Sequence, residues 1–160
     1  KWFFKSSKIL KSGCLLIIDY AMEAYRYYSK SRESGTLLAY RNNIAQSNLL
    51  LDPGFYDLTS HLCLETLKFY ANKNGWKYLG NVLQGQALLS LGLAQRLYSL
   101  QSLSNDQLSS ALERRENLLR LVDPSGLGAF HWIAFQYEDC KQYRKYDPLL
   151  ECLFMKEPVN

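Results

Sequence analysis

The stretch Lys11-Ser-Gly-Cys-Leu-Leu-Ile-Ile-Asp-Tyr20 decides the fold. Its centre, Cys14 to Ile18, is an apolar run of five residues without alternation. Such a run predicts a strand buried on both faces, as in a parallel sheet covered by helices. Asp19 and Tyr20 then fall at the strand's carboxyl end. In open α/β sheets ligands bind outside that end, where loops converge and helix dipoles point. A carboxylate ending a buried strand is poorly solvated and needs a partner, which makes Asp19 the first candidate site residue.

On the amino-terminal side, residues 1–11 read as an amphipathic helix. Lys1, Lys5, Lys8 and Lys11 share one face, opposite Trp2, Phe3, Ile9 and Leu10. Ser12-Gly13 supplies the expected stop. The chain opens on Lys-Trp-Phe-Phe with neither Met nor cap, as if within a helix, so upstream chain is expected. On the carboxyl-terminal side, Ala21 to Phe55 has weak periodicity and carries Tyr25, Arg26, Tyr27, Tyr28 and Arg32. A long, weakly regular segment in a compact domain is more often functional than idle, and this one reads as a binding excursion.

Asp57 or Thr59 is then placed to cap a helix running to about Asn74, with Gly75 as its stop. Trp76 to Leu83 reads as a second strand and Ala129 to Gln136 as a third. Between them, Gln84 to Leu100 reads as one helix. Another, capped by Ser104-Asn105-Asp106, runs to about Leu121 and is broken by Asp123-Pro124-Ser125-Gly126. A short helix is expected near Leu149 to Phe154. The order is α/β, but three strands make a thin sheet for two helical layers.

Composition narrows the function classes. The 160 residues are 48% hydrophobic and 14% aromatic, enough to build a core and too apolar for a disordered chain. The net charge of +4 is local: residues 1–50 hold 8 Lys/Arg against 3 Asp/Glu, and the remainder is nearly balanced. The Lys face therefore reads first as a solvated helix face and only second as an anion contact. Cys14, Cys63, Cys140 and Cys152 form no C-x-x-C and have no His at ligand spacing, so no metal is expected. Cysteines in apolar surroundings, with no secretory signal in view, point to a reducing, cytoplasmic compartment. No apolar run is long enough to span a bilayer.

No Gly-rich phosphate loop, G-x-S-x-G or H-E-x-x-H occurs. The polar residues beside turns are Asp19 and Tyr20 at the strand end, Arg41 in the excursion, and Asp57, Thr59 and His61 at the expected helix start. His131, within an apolar strand, reads as structural.

Several blocks taken together resemble a known family. They are Lys11–Tyr20, Gly35-Thr-Leu-Leu-Ala-Tyr-Arg41, Asp52-Pro-Gly-Phe-Tyr-Asp-Leu-Thr-Ser-His61, Gln84-Gly-Gln-Ala-Leu-Leu-Ser-Leu-Gly92 and Leu121-Val-Asp-Pro-Ser-Gly-Leu-Gly128. In this order the chain resembles the carboxyl-terminal half of MidA-type class I S-adenosylmethionine-dependent methyltransferases. That family includes a mitochondrial protein arginine methyltransferase needed for assembly of respiratory complex I. Ala21 stands where the family usually has Gly, and Cys63 where it often has an acidic residue.

The resemblance implies an α/β fold, the carboxyl-terminal part of a Rossmann-like methyltransferase sheet. Residues 1–136 would form this half, 84–122 a helical insertion and 137–160 a polar tail. Cys14 to Ile18 would be an inner strand, and the third strand would run antiparallel. The implied cofactor is S-adenosylmethionine, held mainly by an amino-terminal half, so that this chain alone would be inactive.

Asp19, Asp57 and His61 are the implied catalytic group, with Tyr20, Arg41 and Thr59 binding substrate. The physical demand is clear: a guanidinium acceptor is charged and delocalised, and it needs carboxylates to orient it and an acceptor for its proton. A protein substrate, such as a respiratory complex I type subunit, is the implied partner; nucleic acid is not. The rival reading is a non-enzymatic module in which the Tyr/Arg-rich excursion and the Lys face bind a protein or nucleic acid.

Overall fold

The computed structural model describes residues 1–10, 12–102 and 107–138. Lys11, the Ser104-Asn105-Asp106 cap, Cys140, Cys152 and the helix expected at Leu149–Phe154 lie outside them. The main sheet has three strands, β1 (Ser12–Asp19), β7 (Trp76–Leu83) and β8 (His131–Glu138), in the order β1-β8-β7. β8 runs antiparallel to both neighbours, with Asp19 opposite His131 and Leu83 opposite the same residue. Two smaller sheets flank it. One pairs β2 (Ala21–Met22) with β6 (Leu62–Cys63). The other orders β4 (Ile44–Gln46), β3 (Leu38–Arg41) and β5 (Asp57–Thr59) side by side.

The core lies on one face of the main sheet. Alternation along β1, β7 and β8 sends Leu15, Ile17, Trp76, Ile133 and Phe135 to that face. Two helices cover them, α1 (Trp2–Ile9) through Phe3 and α3 (Leu64–Lys73) through Leu64 and Ala71. Phe3 meets Phe135 edge-on with ring centroids 5.3 Å apart, and the Trp76 indole N–H donates to the Phe3 carbonyl at 3.2 Å. That bond satisfies the polar tip of a side chain that is otherwise fully enclosed. Of the apolar residues on α1 only Phe3 is buried. Ile9, expected on the packed face, is 82% exposed, because the helix touches the sheet through its first turn.

The second helical group comprises α4 (Gln84–Ser90), α5 (Leu93–Ser99) and α6 (Leu108–Val122). Buried Gln84 ties it to the sheet. Its Nε2 donates to the carbonyls of Leu121 and Leu127, both at 3.0 Å, and its Oε1 accepts from the Trp132 indole at 3.1 Å. Gly128 is buried in the same junction, where a Cβ would come within 2.4 Å of the Val122 backbone.

Four expectations are corrected. The strand over Cys14–Ile18 forms, but it is not buried on both faces. Leu16 and Ile18 are 42% and 47% exposed, because among the described residues β1 pairs only with β8 and forms the open edge of this sheet, while Ala134 beside Leu16 on β8 is buried. Ser12-Gly13 does not turn the chain; it begins β1, pairing with Glu138 and Tyr137. Asp57 and Thr59 do not cap a helix: both lie in β5, opposite Tyr40 and Leu38, and α3 starts only at Leu64. Gln84–Leu100 is two helices, divided at Gly92, whose φ of 93° a side chain tolerates poorly. The excursion is also more ordered than its periodicity suggests. Asn42 and Asn43, with φ of 50° and 63°, close a two-residue hairpin between β3 and β4, a conformation that Asn accepts more readily than most residues.

Among the described residues no helix is long and apolar enough to cross a membrane.

Candidate functional site

At the carboxyl end of β1 the chain turns directly into β2, so Asp19 and Tyr20 sit where two sheets meet. The Tyr20 amide donates to Asp19 Oδ1 at 2.7 Å, which orients the carboxylate and leaves Oδ2 for another partner. β6 runs parallel to β2 and delivers His61 to the same place. The Tyr20 ring is tilted against the His61 imidazole, centroids 5.7 Å apart, and against Phe130 at 4.2 Å. Buried Thr36 fixes the backbone beneath: its Oγ1 accepts from the His61 amide at 3.2 Å.

Asp19 and His61 both line a cavity of about 740 Å³. Its wall is largely aromatic and apolar, including Trp2, Tyr27, Tyr28 and Tyr70. Tyr27 and Tyr28 meet edge to face, centroids 5.0 Å apart, on the short helix α2 (Ala24–Tyr27) and its end. Glu65, in the first turn of α3, accepts from the Ala24 amide at 2.7 Å and so anchors the start of α2 beside the cavity.

The His61 imidazole is held below its ordinary value of 6.5, chiefly by burial and then by the nearby Arg32 guanidinium; Asp19 opposes both. It is therefore neutral at physiological pH and able to accept a proton. His131, directly across the sheet from Asp19, is lowered by burial as well, and its Nδ1 lies 3.0 Å from Asn81 Oδ1.

These shifts have a measurable consequence. The unfolded chain takes up protons on both histidines near pH 6.5, whereas the folded chain resists, so the unfolded state binds more protons just below that pH. Stability should be full above pH 6.5 and fall as pH drops toward about 5, before carboxylates of ordinary pKa begin to titrate. Urea unfolding midpoints at pH 7 and about 5 measure this. Replacing both histidines with asparagine should flatten the dependence, and an undiminished slope would mean that other groups cause it.

The other predicted residues lie elsewhere. Asp57 and Thr59 are exposed on β5 and Arg41 on the neighbouring β3, and none of the three lines the cavity. Arg41 extends over the rings of Phe55 and Tyr56, 5.8 and 5.7 Å from their centroids. Asp19, Tyr20 and His61 thus come together, while Asp57, Thr59 and Arg41 form a separate exposed group on the small sheet.

Thr36, Phe130 and the field of Arg32 escape the sequence reading. Phe130 was detectable in principle: it immediately precedes β8, and an antiparallel β8 brings that end alongside Asp19-Tyr20. Among the described residues no group of three or more His, Cys, Asp or Glu could hold a metal ion.

Comparison with known proteins gives the following. A solved COG1565 superfamily protein from Burkholderia thailandensis is similar in fold, with a TM-score of 0.72 and 24% identity over 84% of this chain. A superfamily member from the same organism, bound to S-adenosyl-homocysteine, is similar with the same TM-score and identity. The chain spans about a third of the length of these structures, 35% and 34% respectively. At that identity the likeness establishes the α/β fold. No curated protein matches. Residues 1–82, just over half of the chain, match the family described as "putative S-adenosyl-L-methionine-dependent methyltransferase", and the chain belongs to that family.

Proposed function

We propose that this chain forms the methyl-acceptor side of a MidA-like methyltransferase that modifies arginine in a protein substrate. One observation carries the reading: the Asp19 carboxylate and the neutral His61 imidazole face one cavity whose wall is rich in aromatic rings. A carboxylate pairs with a guanidinium through charge-assisted hydrogen bonds, and aromatic faces stack on its plane. A neutral imidazole supplies the proton acceptor that transfer to a cationic nitrogen requires.

The family's cofactor is S-adenosyl-L-methionine, the source of the methyl group. The described residues do not fit its cradle. Among the described residues the junctions where a strand leads into a helix, Met22-Glu23-Ala24, Cys63-Leu64 and Leu83-Gln84, carry no Gly-rich loop whose amides could hold the methionyl portion. Asp19 and His61 are accordingly assigned only to the acceptor. Asp19 orients the guanidinium, His61 takes the proton, and the surrounding rings offer faces on which the guanidinium plane stacks. Asp57, Thr59 and Arg41, on the exposed small sheet, hold the substrate protein beside the cavity. A complex I type subunit in that role rests on the family resemblance alone, as does a cytoplasmic setting on cysteine usage.

The test is methyl transfer by the whole polypeptide carrying this chain, using isotope-labelled S-adenosylmethionine and protein acceptors, followed by mass spectrometry of the modified residue. Methylated arginine is the expected product. Transfer confined to lysine, histidine or a small molecule overturns the acceptor assignment.

A further inference from the structure

A groove runs between α5 and α6, remote in sequence from the cavity at Asp19 and enclosing about 790 Å³. Its apolar lining includes Leu118 and Leu121 from α6 and Leu127 from the turn that follows. Leu121 and Leu127 are 36% and 42% exposed. The three helices pack on one another with Ala87 on α4 and Ala111 on α6 buried, while the leucines toward the end of α6 stay partly uncovered beside α5.

Three guanidinium groups border this apolar floor, from Arg96 on α5 and from Arg114 and Arg120 on α6. Spacing accounts for the alignment on α6, since Arg114, Leu118 and Leu121 follow at four and three residues and share a face. Among the described residues no carboxylate lines the groove to neutralise this charge. No Asp or Glu occurs from Gln84 through Ser102, and neither Glu113 nor Glu116 of α6 lines the groove. Glu116 reaches only Arg120, at 2.6 Å on the exposed helix surface. Arg96 and Arg114 have no carboxylate partner among the described residues.

We propose that this groove docks an amphipathic, acidic helical segment of a partner protein, its leucine-type side chains entering the apolar floor and its carboxylates meeting Arg96 and Arg114. Helix-in-groove recognition needs an apolar channel of this size with specificity at its rim. Unpaired arginines at the rim select a partner of opposite charge and reject a basic one. The same arrangement suits nucleic acid poorly, because the floor between the guanidinium groups is aliphatic and offers bases no aromatic ring to stack on.

A labelled peptide of repeating Leu-Glu-Glu-Leu-Leu units, about four turns long, serves as the probe, with fluorescence anisotropy as the readout on the full chain. Binding that weakens with salt is expected. The double variant Arg96→Glu, Arg114→Glu should raise Kd about tenfold or more, since two rim attractions become repulsions. Both arginines are exposed, so circular dichroism and the thermal midpoint of the variant should match the parent. Replacing every Glu of the peptide with Lys should abolish binding.

Equal affinity of parent and double variant overturns the proposal. So does an RNA oligonucleotide or an anionic vesicle bound through the same arginines in place of the peptide. The methyl-acceptor cavity plays no part in this measurement, so either reading can fail alone.

Discussion

Trp76→Ala is expected to lower the free energy of unfolding by about 3–5 kcal/mol, the range for removing a large aromatic residue from a packed core. Trp76 is 2% exposed and begins β7. Its ring lies 6.1 Å from Phe3 and 5.2 Å from Tyr137, joining α1 to the strand pair that organises the sheet. The substitution also deprives the Phe3 carbonyl of its indole donor. Because that carbonyl still accepts its helical bond within α1, losing the indole bond adds only about 0.5–1.5 kcal/mol.

A domain of this size has about 5–15 kcal/mol in total, so the variant should retain only a fraction of its stability. Urea denaturation followed by far-UV circular dichroism measures the loss. Trp76→Phe restores ring volume without the N–H, and it separates the two contributions. A loss below about 1 kcal/mol for the alanine variant would mean that α1 does not depend on this contact.

The sequence made the strands legible wherever the apolar pattern was strong. Trp76–Leu83 forms over the expected residues, and the third strand is displaced by only two. Legibility failed where tertiary pairing overrode a local signal. Asp57 and Thr59 have good capping side chains, but their backbone is recruited by β3, and an extended conformation there delays the helix to Leu64. The run Cys14–Ile18 specifies a strand but not what covers it: apolar side chains on both faces do not reveal that β1 forms an open edge among the described residues.

The site was legible in part for the same reason. Asp19 was identifiable as the polar residue ending an apolar strand, and His61 as a polar residue beside a turn at an expected helix start. Their meeting depends on β2 pairing with β6, two residues on each side and too short to register as periodicity. Arg32 and Thr36 act on His61 from about 25–30 positions away, a relation that no local pattern records.

Asp19→Asn should lower kcat/KM for methyl transfer to arginine by roughly a hundredfold in the whole polypeptide that carries this chain. The figure follows from losing one hydrogen bond to a charged group, worth about 1.5–3 kcal/mol, at about 1.4 kcal/mol per tenfold. Asparagine keeps the shape and can still accept the Tyr20 amide proton through its carbonyl oxygen, so the turn into β2 should survive. What it loses is the negative charge facing the cavity and, with it, the attraction that holds a guanidinium in line for transfer.

Affinity for S-adenosylmethionine should change little, because Asp19 is assigned to the acceptor alone; isothermal titration measures this separately. The same substitution also removes the one influence that raises the His61 pKa, so the acidic limb of the pH–rate profile should move further down rather than up. A variant that loses cofactor binding while retaining its turnover at saturation would place Asp19 on the donor side. A limb that moves up would show that Asp19 does not act on His61 as the electrostatics of the cavity require.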